Sequence, residues 1–226
     1  NCLPYFKKFE NHQCLNTEYT GNEGPVGISA GNNMRNPLYR AFIDAGVEAG
    51  YEETEDYNGF RQEGFGQKFM NVDRGIRAST SHAYLKGAKK RPNLTILKRA
   101  LVKRIQFSAK TATGIECEIG GQTKVFSAQR EVILCAGAIG SPQLLQVSGV
   151  GPKSTLKAAG IQLHHELSGV GENLQDHLEF NFQYHCKQPI TLNSELSLYK
   201  KALIGAQWLL FKTGLGRTNH FESCGF

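Results

Sequence analysis

The densest run of reactive side chains follows Gly171. From Asp176 onward polar and apolar residues alternate, with His177, Glu179, Asn181, Gln183 and His185 facing one way and Leu178, Phe180, Phe182 and Tyr184 the other. Successive side chains of an extended chain point to opposite faces, so this period predicts a half-buried strand. Its polar face is either merely wet or lines a cavity. In the second case Glu179 is a carboxylate that can hold a cation. His164 and His165 have no companions that would make a ligand set, and read as surface residues. The six cysteines (Cys2, Cys14, Cys117, Cys135, Cys186 and Cys224) contain no C-x-x-C pair and are irregularly spaced. Neither a zinc site nor a disulfide scaffold is indicated, and reduced thiols in a cytosol-like compartment are expected.

The glycine pattern bears on cofactors. Gly64-Phe65-Gly66, Gly149-Val150-Gly151, Gly169-Val170-Gly171 and Gly214-Leu215-Gly216 each lack the third glycine of G-x-G-x-x-G. With no G-x-x-x-x-G-K-[ST], H-E-x-x-H or G-x-S-x-G either, a self-sufficient nucleotide fold, a P-loop enzyme, a zincin and a serine hydrolase are disfavoured. Arg130–Gly137 is an apolar run closing on small residues, and Ser141-Pro142 can start a helix carrying Leu144, Leu145 and Val147, with Gly149 as its stop. A buried strand, a small-residue turn and a helix start are how an α/β domain brings backbone close to a dinucleotide. Eight basic residues, Lys86, Lys89, Lys90, Arg91, Lys98, Arg99, Lys103 and Arg104, occur without an intervening acid. They form a solvated face or one that meets an anionic surface; no nucleic-acid motif accompanies them, and no nucleic-acid partner is expected.

Other segments supply the frame. Asn36 as N-cap, Pro37 at the first helical position, an apolar stripe of Leu38, Phe42, Ala45 and Ala49, and Gly50 as the stop predict a helix. Ser79–Lys89 predicts a second, broken before Pro92. Tyr5–Glu23 reads as turn-rich, and 51–77, rich in glycine and aromatics, as long ordered loops. Strands are expected at Leu94, Ile96, 101–107, 115–119 and 124–128, the last two joined at Gly120-Gly121. Asn93-Leu94-Thr95 matches a glycosylation sequon but falls in one of those strands. The 226 residues, 40% hydrophobic and 20% charged, suffice for one large or two modest domains. Mean hydropathy is −0.37 and no stretch nears the roughly 18 apolar residues of a membrane span. The formal charge is +6. The chain opens Asn1-Cys2-Leu3-Pro4 and stops at Phe226 within what reads as ordered sequence, as expected of an internal piece of a longer protein.

One segment is specific. Gly137-Ala138-Ile139-Gly140-Ser141-Pro142-Gln143-Leu144-Leu145-Gln146-Val147-Ser148-Gly149-Val150-Gly151 resembles the second signature of the glucose–methanol–choline (GMC) family of FAD-dependent oxidoreductases. Gly169-Val170-Gly171-Glu172-Asn173-Leu174-Gln175-Asp176-His177 resembles another family segment. Arg77-x-Ser79, Ala83-Tyr84-Leu85, Arg91-Pro92-Asn93-Leu94 and Leu101-Val102-x-Arg104-Ile105 follow the family's order. Asp176-His177-Leu178-Glu179, Lys187-Gln188-Pro189, Gly205-Ala206-Gln207-Trp208 and Asn219-His220-Phe221-Glu222 are similar to its choline-oxidising branch.

That resemblance implies a mixed α/β fold: part of an FAD-binding Rossmann-like domain interleaved with part of a substrate domain carrying an antiparallel sheet. Residues 1–90 would be mainly substrate-domain and connecting segments, 91–175 the latter part of the FAD domain, and 176–226 the start of a second substrate-domain segment. It implies FAD as cofactor, with the Val102 backbone toward adenine and Ala136 and Gly137 against the dinucleotide. Glu179 would face the trimethylammonium group of choline, a cation that donates no hydrogen bond and is read by charge and aromatic faces. Where relatives often carry a tryptophan pair, this chain has Leu198-Tyr199. The family's pyrophosphate loop would precede residue 1 and its catalytic His would lie beyond Phe226, so residues 1–226 alone are expected to be inert. The implied partners are choline or a related alcohol, an electron acceptor of the respiratory chain, and peripheral contact with a bacterial or mitochondrial inner membrane; otherwise the location would be cytoplasmic. Two alternatives stay open: an oxidoreductase for another primary alcohol, and a basic anion-binding surface module without catalysis.

Overall fold

The computed structural model describes residues 2–226. In chain order its elements are α1 (Leu3–Phe9), β1 (Glu10–His12), β2 (Val26–Ile28), α2 (Pro37–Glu48), β3 (Phe65–Gln67), β4 (Val72–Asp73), β5 (Ile76–Arg77), α3 (Lys86–Ala88), β6 (Ala100–Ser108), β7 (Thr111–Ile119), β8 (Gln122–Ser127), α4 (Gly137–Val147), β9 (Val150–Gly151), α5 (Lys153–Ala158), β10 (His165–Glu166), α6 (Leu198–Phe211) and β11 (Ser223–Gly225). They fall into two units, one made of the chain up to Leu94 with Gln183–Phe226, the other of Thr95–Phe182.

In the first unit α2 forms where its caps predict. The Asn36 side chain accepts the Leu38 N–H, Pro37 opens the first turn, and Gly50 leaves the helix at a φ of +94°. The buried face of α2 carries Ile43 and Gly46. A Cβ on Gly46 would lie 2.4 Å from the Phe65 ring, so glycine there is what lets β3 approach the helix. Phe42 and Tyr51 pack on the same ring at 5.2 and 5.4 Å. β3 pairs antiparallel with β11, Cys224 opposite Gly66, which ties the end of the chain to this core. The Tyr5–Glu23 stretch, expected as turns, includes most of α1 and all of β1, which runs parallel to β2. The 51–77 stretch, expected as loops, holds the short strands β3, β4 and β5. The expected Ser79–Lys89 helix is a wide turn over Ser81–Leu85, where the Lys86 N–H bonds Ser81 O, continuing into α3.

In the second unit β6, β7 and β8 form an antiparallel meander. Gly120 and Gly121, at φ of +60° and +77°, make the two-residue β7–β8 turn that only such residues reach easily. Leu94 and Ile96 precede the sheet instead of joining it, because Arg99 turns the chain at a φ of +54° immediately before β6. Asn93 therefore sits in the turn after Pro92, not in a strand. α4 packs on β6 through Ser148, whose Oγ accepts the Ile105 N–H at 2.8 Å and donates to Leu144 O.

Three further expectations fail for related reasons. Arg130–Ala136 is not a buried strand: it pairs with no described strand, and Ile133 is 74% exposed. Apolar composition makes a strand only where a neighbour supplies backbone partners. α4 starts at Gly137 and not at Ser141-Pro142; Pro142 lies inside it, and Ser141 reaches back to accept the Ala136 N–H at 3.1 Å. Asp176–His185 forms no strand, and both expected faces are open, with Leu178 84% and Tyr184 89% exposed.

Candidate functional site

β6, the segment before α4, and α4 itself enclose a cleft of about 550 Å³ in the second unit. Its floor is Leu101, Val102 and Lys103; its walls are Ile133 to Ala136 on one side and Gly140, Gln143, Leu144 and Val147 on the other. The structure thus brings Val102 and Ala136, far apart in the chain, to one cavity, with Gly137 directly following Ala136. β6 is the edge of its sheet, so half of its backbone groups have no strand to bond. The β6–β7 register jumps from Val102 opposite Cys117 to Arg104 opposite Glu116, which leaves Lys103 as a bulge with nothing opposite. A bulge frees backbone N–H and C=O groups beside Val102 at the point where the cleft opens. Apolar walls with free backbone groups on one rim suit a flat heterocycle that both stacks and accepts hydrogen bonds.

Gly137 holds a φ of +82°, and a Cβ built on it would meet nothing within 4 Å. The requirement for glycine is therefore conformational, and the space above it is open. α4 begins at this residue with no acid in its first turn and no side chain capping its end. Its first N–H groups and positive dipole end remain available to an anionic ligand. Lys103 and Arg104, counted in the basic run, are engaged across the sheet by Glu118 at 3.3 Å and Glu116 at 2.8 Å.

Glu179 lies outside this cleft. It is exposed and makes no hydrogen bond or ion pair with any described residue. Leu198 and Tyr199 open α6 behind the Ser197 cap, exposed, in the other unit. His164 stacks on Phe107 with ring centroids 4.5 Å apart, and His165 lies in β10. Gly171, at a φ of +83°, packs on α4: Gln146 Nε2 donates to Val170 O at 3.0 Å, and a Cβ on Gly171 would strike that amide. Gly171 thus serves close packing on α4, whereas a Cβ on Gly169 would meet nothing within 4 Å.

Sequence reasoning did not single out the role of Glu222. It is 1% exposed, and its carboxylate accepts the N–H groups of Asn32 at 2.8 Å and Met34 at 2.6 Å. No local signal marks it, because both partners come from the opposite end of the chain. His12 is likewise buried, its Nδ1 accepting from Leu15 at 2.9 Å and Cys14 at 3.2 Å. Burial holds its pKa below the ordinary value, against weaker upward pulls from Glu10 and Asp56.

A cleft with open backbone and an uncapped helix start in an α/β setting defines a class of cofactor-binding proteins, and comparison narrows it. Residues 1–179 match the GMC oxidoreductase family model, and the chain belongs to that family. It is 58% identical over its whole length to the oxygen-dependent choline dehydrogenase of Photobacterium profundum, and 57% identical to that of Vibrio vulnificus. It spans 40% of the length of each of those relatives. Among solved structures, an FAD-dependent oxidoreductase from Chaetomium thermophilum superposes with a TM-score of 0.82 at 27% identity, over 99% of this chain and 42% of that one. A formate oxidase gives 0.85 at 24% identity, over 99% and 40%, which speaks to the fold alone.

Proposed function

We propose that this chain is the portion of an FAD-dependent alcohol dehydrogenase in which the cofactor's adenine side is held, and that the whole protein oxidises choline to betaine aldehyde. The observation that carries the reading is the 58% identity, over every residue of the chain, to a relative named oxygen-dependent choline dehydrogenase. The cleft fits the cofactor: Val102 would give backbone hydrogen bonds to adenine at the bulge, while Ala136 and Gly137 leave room for the dinucleotide beside the start of α4. FAD, when bound, supplies the hydride acceptor; the protein's part is orientation, charge and exclusion of water. On the substrate side, Glu179 has no internal partner, so its charge is available to a quaternary ammonium. The acceptor of the electrons belongs to the respiratory chain, and oxygen is then consumed downstream.

The test uses the full-length, flavin-loaded protein. Glu179→Gln removes the charge and keeps the shape. It should weaken choline binding about tenfold or more with little change in turnover, since the ammonium is present equally in the ground and transition states. The uncharged isostere 3,3-dimethylbutanol should hardly notice the substitution. Equal losses for both alcohols would return the substrate to an unspecified alcohol. Choline-dependent reduction of a quinone, with slow direct use of oxygen, is the expected acceptor result.

A second reading concerns the membrane. Lys86, Lys89, Lys90 and Arg91 are exposed and make no ion pair with any described residue, beside the half-exposed Tyr84 and Leu85. No described helix is long and apolar enough to cross a bilayer. We propose that this turn makes peripheral contact with anionic lipid, where each basic residue contributes about 1 kcal/mol. Full-length protein should co-sediment with phosphatidylglycerol-containing vesicles and lose that association when all four residues are changed to Glu. Equal sedimentation of the two proteins would rule the surface out.

A further inference from the structure

We propose that the pocket between the β4–β5 hairpin and the chain leaving α6 is an anion site, in which the guanidinium groups of Arg77 and Arg217 grip a small carboxylate or an inorganic oxyanion. The pocket lies within the first unit and has a volume of about 500 Å³. Its lining includes Arg77, Arg217, Asn71, Thr218 and Asn219, and no aspartate or glutamate. The Nε of Arg217 is buried without a hydrogen-bond partner. Neither arginine side chain makes an ion pair or a hydrogen bond with any described residue. The guanidinium N–H groups that face the pocket therefore have no acceptor in the protein, and an oxygen anion can take them in the planar fork.

The surroundings fix the hairpin against the end of α6 and keep its acid away. The Trp208 indole N–H donates to Gly75 O at 2.6 Å, pinning the hairpin turn to the end of α6. A Cβ on Gly75 would come 2.1 Å from Lys212 O, so the two chains pass in contact. Lys212 Nζ sits 4.0 Å from the centroid of the Trp208 ring and adds a third positive charge nearby. Asp73, the acid of the hairpin, is engaged elsewhere by Gln13 Nε2 at 2.9 Å and faces His82. A cationic alcohol is repelled from such a pocket, so this site is distinct from substrate recognition at Glu179.

Isothermal titration of the full-length, flavin-loaded protein with sodium acetate, sodium phosphate and sodium chloride at matched ionic strength tests the proposal. Acetate or phosphate should bind saturably where chloride does not. Arg217→Gln should weaken that binding at least about tenfold, and Arg217→Lys, which keeps the charge and loses the fork, should fall between. Binding of acetate alone identifies a carboxylate site, and binding of phosphate alone a tetrahedral oxyanion site. Should Arg217→Gln fail to fold, Arg77→Gln, at the exposed side of the pocket, carries the same expectation. Absence of saturable binding by both anions, or binding that both substitutions leave unchanged, overturns the proposal.

Discussion

Replacing Glu222 tests how the two ends of the first unit are held together. Gly31, Asn33 and Met34 adopt φ of +60°, +62° and +50°, a run of left-handed backbone that gathers amide N–H groups into a small anion-binding hollow. The Glu222 carboxylate fills it, one oxygen on Asn32 and the other on Met34, at 1% exposure. Hydrogen bonds to a charged group contribute about 1.5–3 kcal/mol each. Glu222→Gln keeps the shape and one acceptor but turns an NH₂ toward the second amide, so it should cost about 2–3 kcal/mol. Glu222→Leu strands both amides and should cost about 3–6 kcal/mol. Urea unfolding of the full-length protein reads the global part. Hydrogen exchange of the 31–35 segment reads the local part and should accelerate roughly 30- to 150-fold in Glu222→Gln, the rate equivalent of 2–3 kcal/mol. A change below about 0.5 kcal/mol in both measurements would refute the account of Glu222 as the staple of this loop.

Two further expectations concern positions already described. His12 is buried as the neutral imidazole, so the native state binds fewer protons than the unfolded state below the ordinary pKa of 6.5. Its contribution to stability should be whole above that pH and decline as pH falls through the window beneath it; His12→Asn, which can still accept at the same place, should flatten urea midpoints measured across that range. Gly137→Val forces a β-branched residue to a φ of +82°, at a cost of about 1–2 kcal/mol or more. The full-length protein should then retain less flavin after gel filtration, while Ala138→Val, one position into the helix, should retain more than Gly137→Val.

Much of the local structure was legible without coordinates. Asn36, Pro37 and Gly50 specify α2 because a cap, a pre-set φ and a left-handed stop act within a few residues of one another. Gly120-Gly121 marks the β7–β8 turn for the same reason. The family, too, was readable from contiguous segments, the run from Gly137 to Gly151 above all. The alternation from Asp176 to His185 predicts a strand that does not form, since pairing is a property of a neighbour and not of the segment. The same holds for Arg130–Ala136.

What only the tertiary structure decided are the relations between distant residues. The cleft exists because a bulge at Lys103 and a helix beginning at Gly137 come together on β6, and nothing near either residue announces the other. Glu222 meets an amide 190 residues away. Arg77 and Arg217 line one pocket between the hairpin and the end of α6, each lacking an acid. Capping and turn preferences are decided by bonds closed within one or two turns of backbone, so the amino-acid order carries them. Burial, the satisfaction of a buried donor and the pairing of a charge depend on which surfaces the folded chain brings into contact, and those were decided by packing.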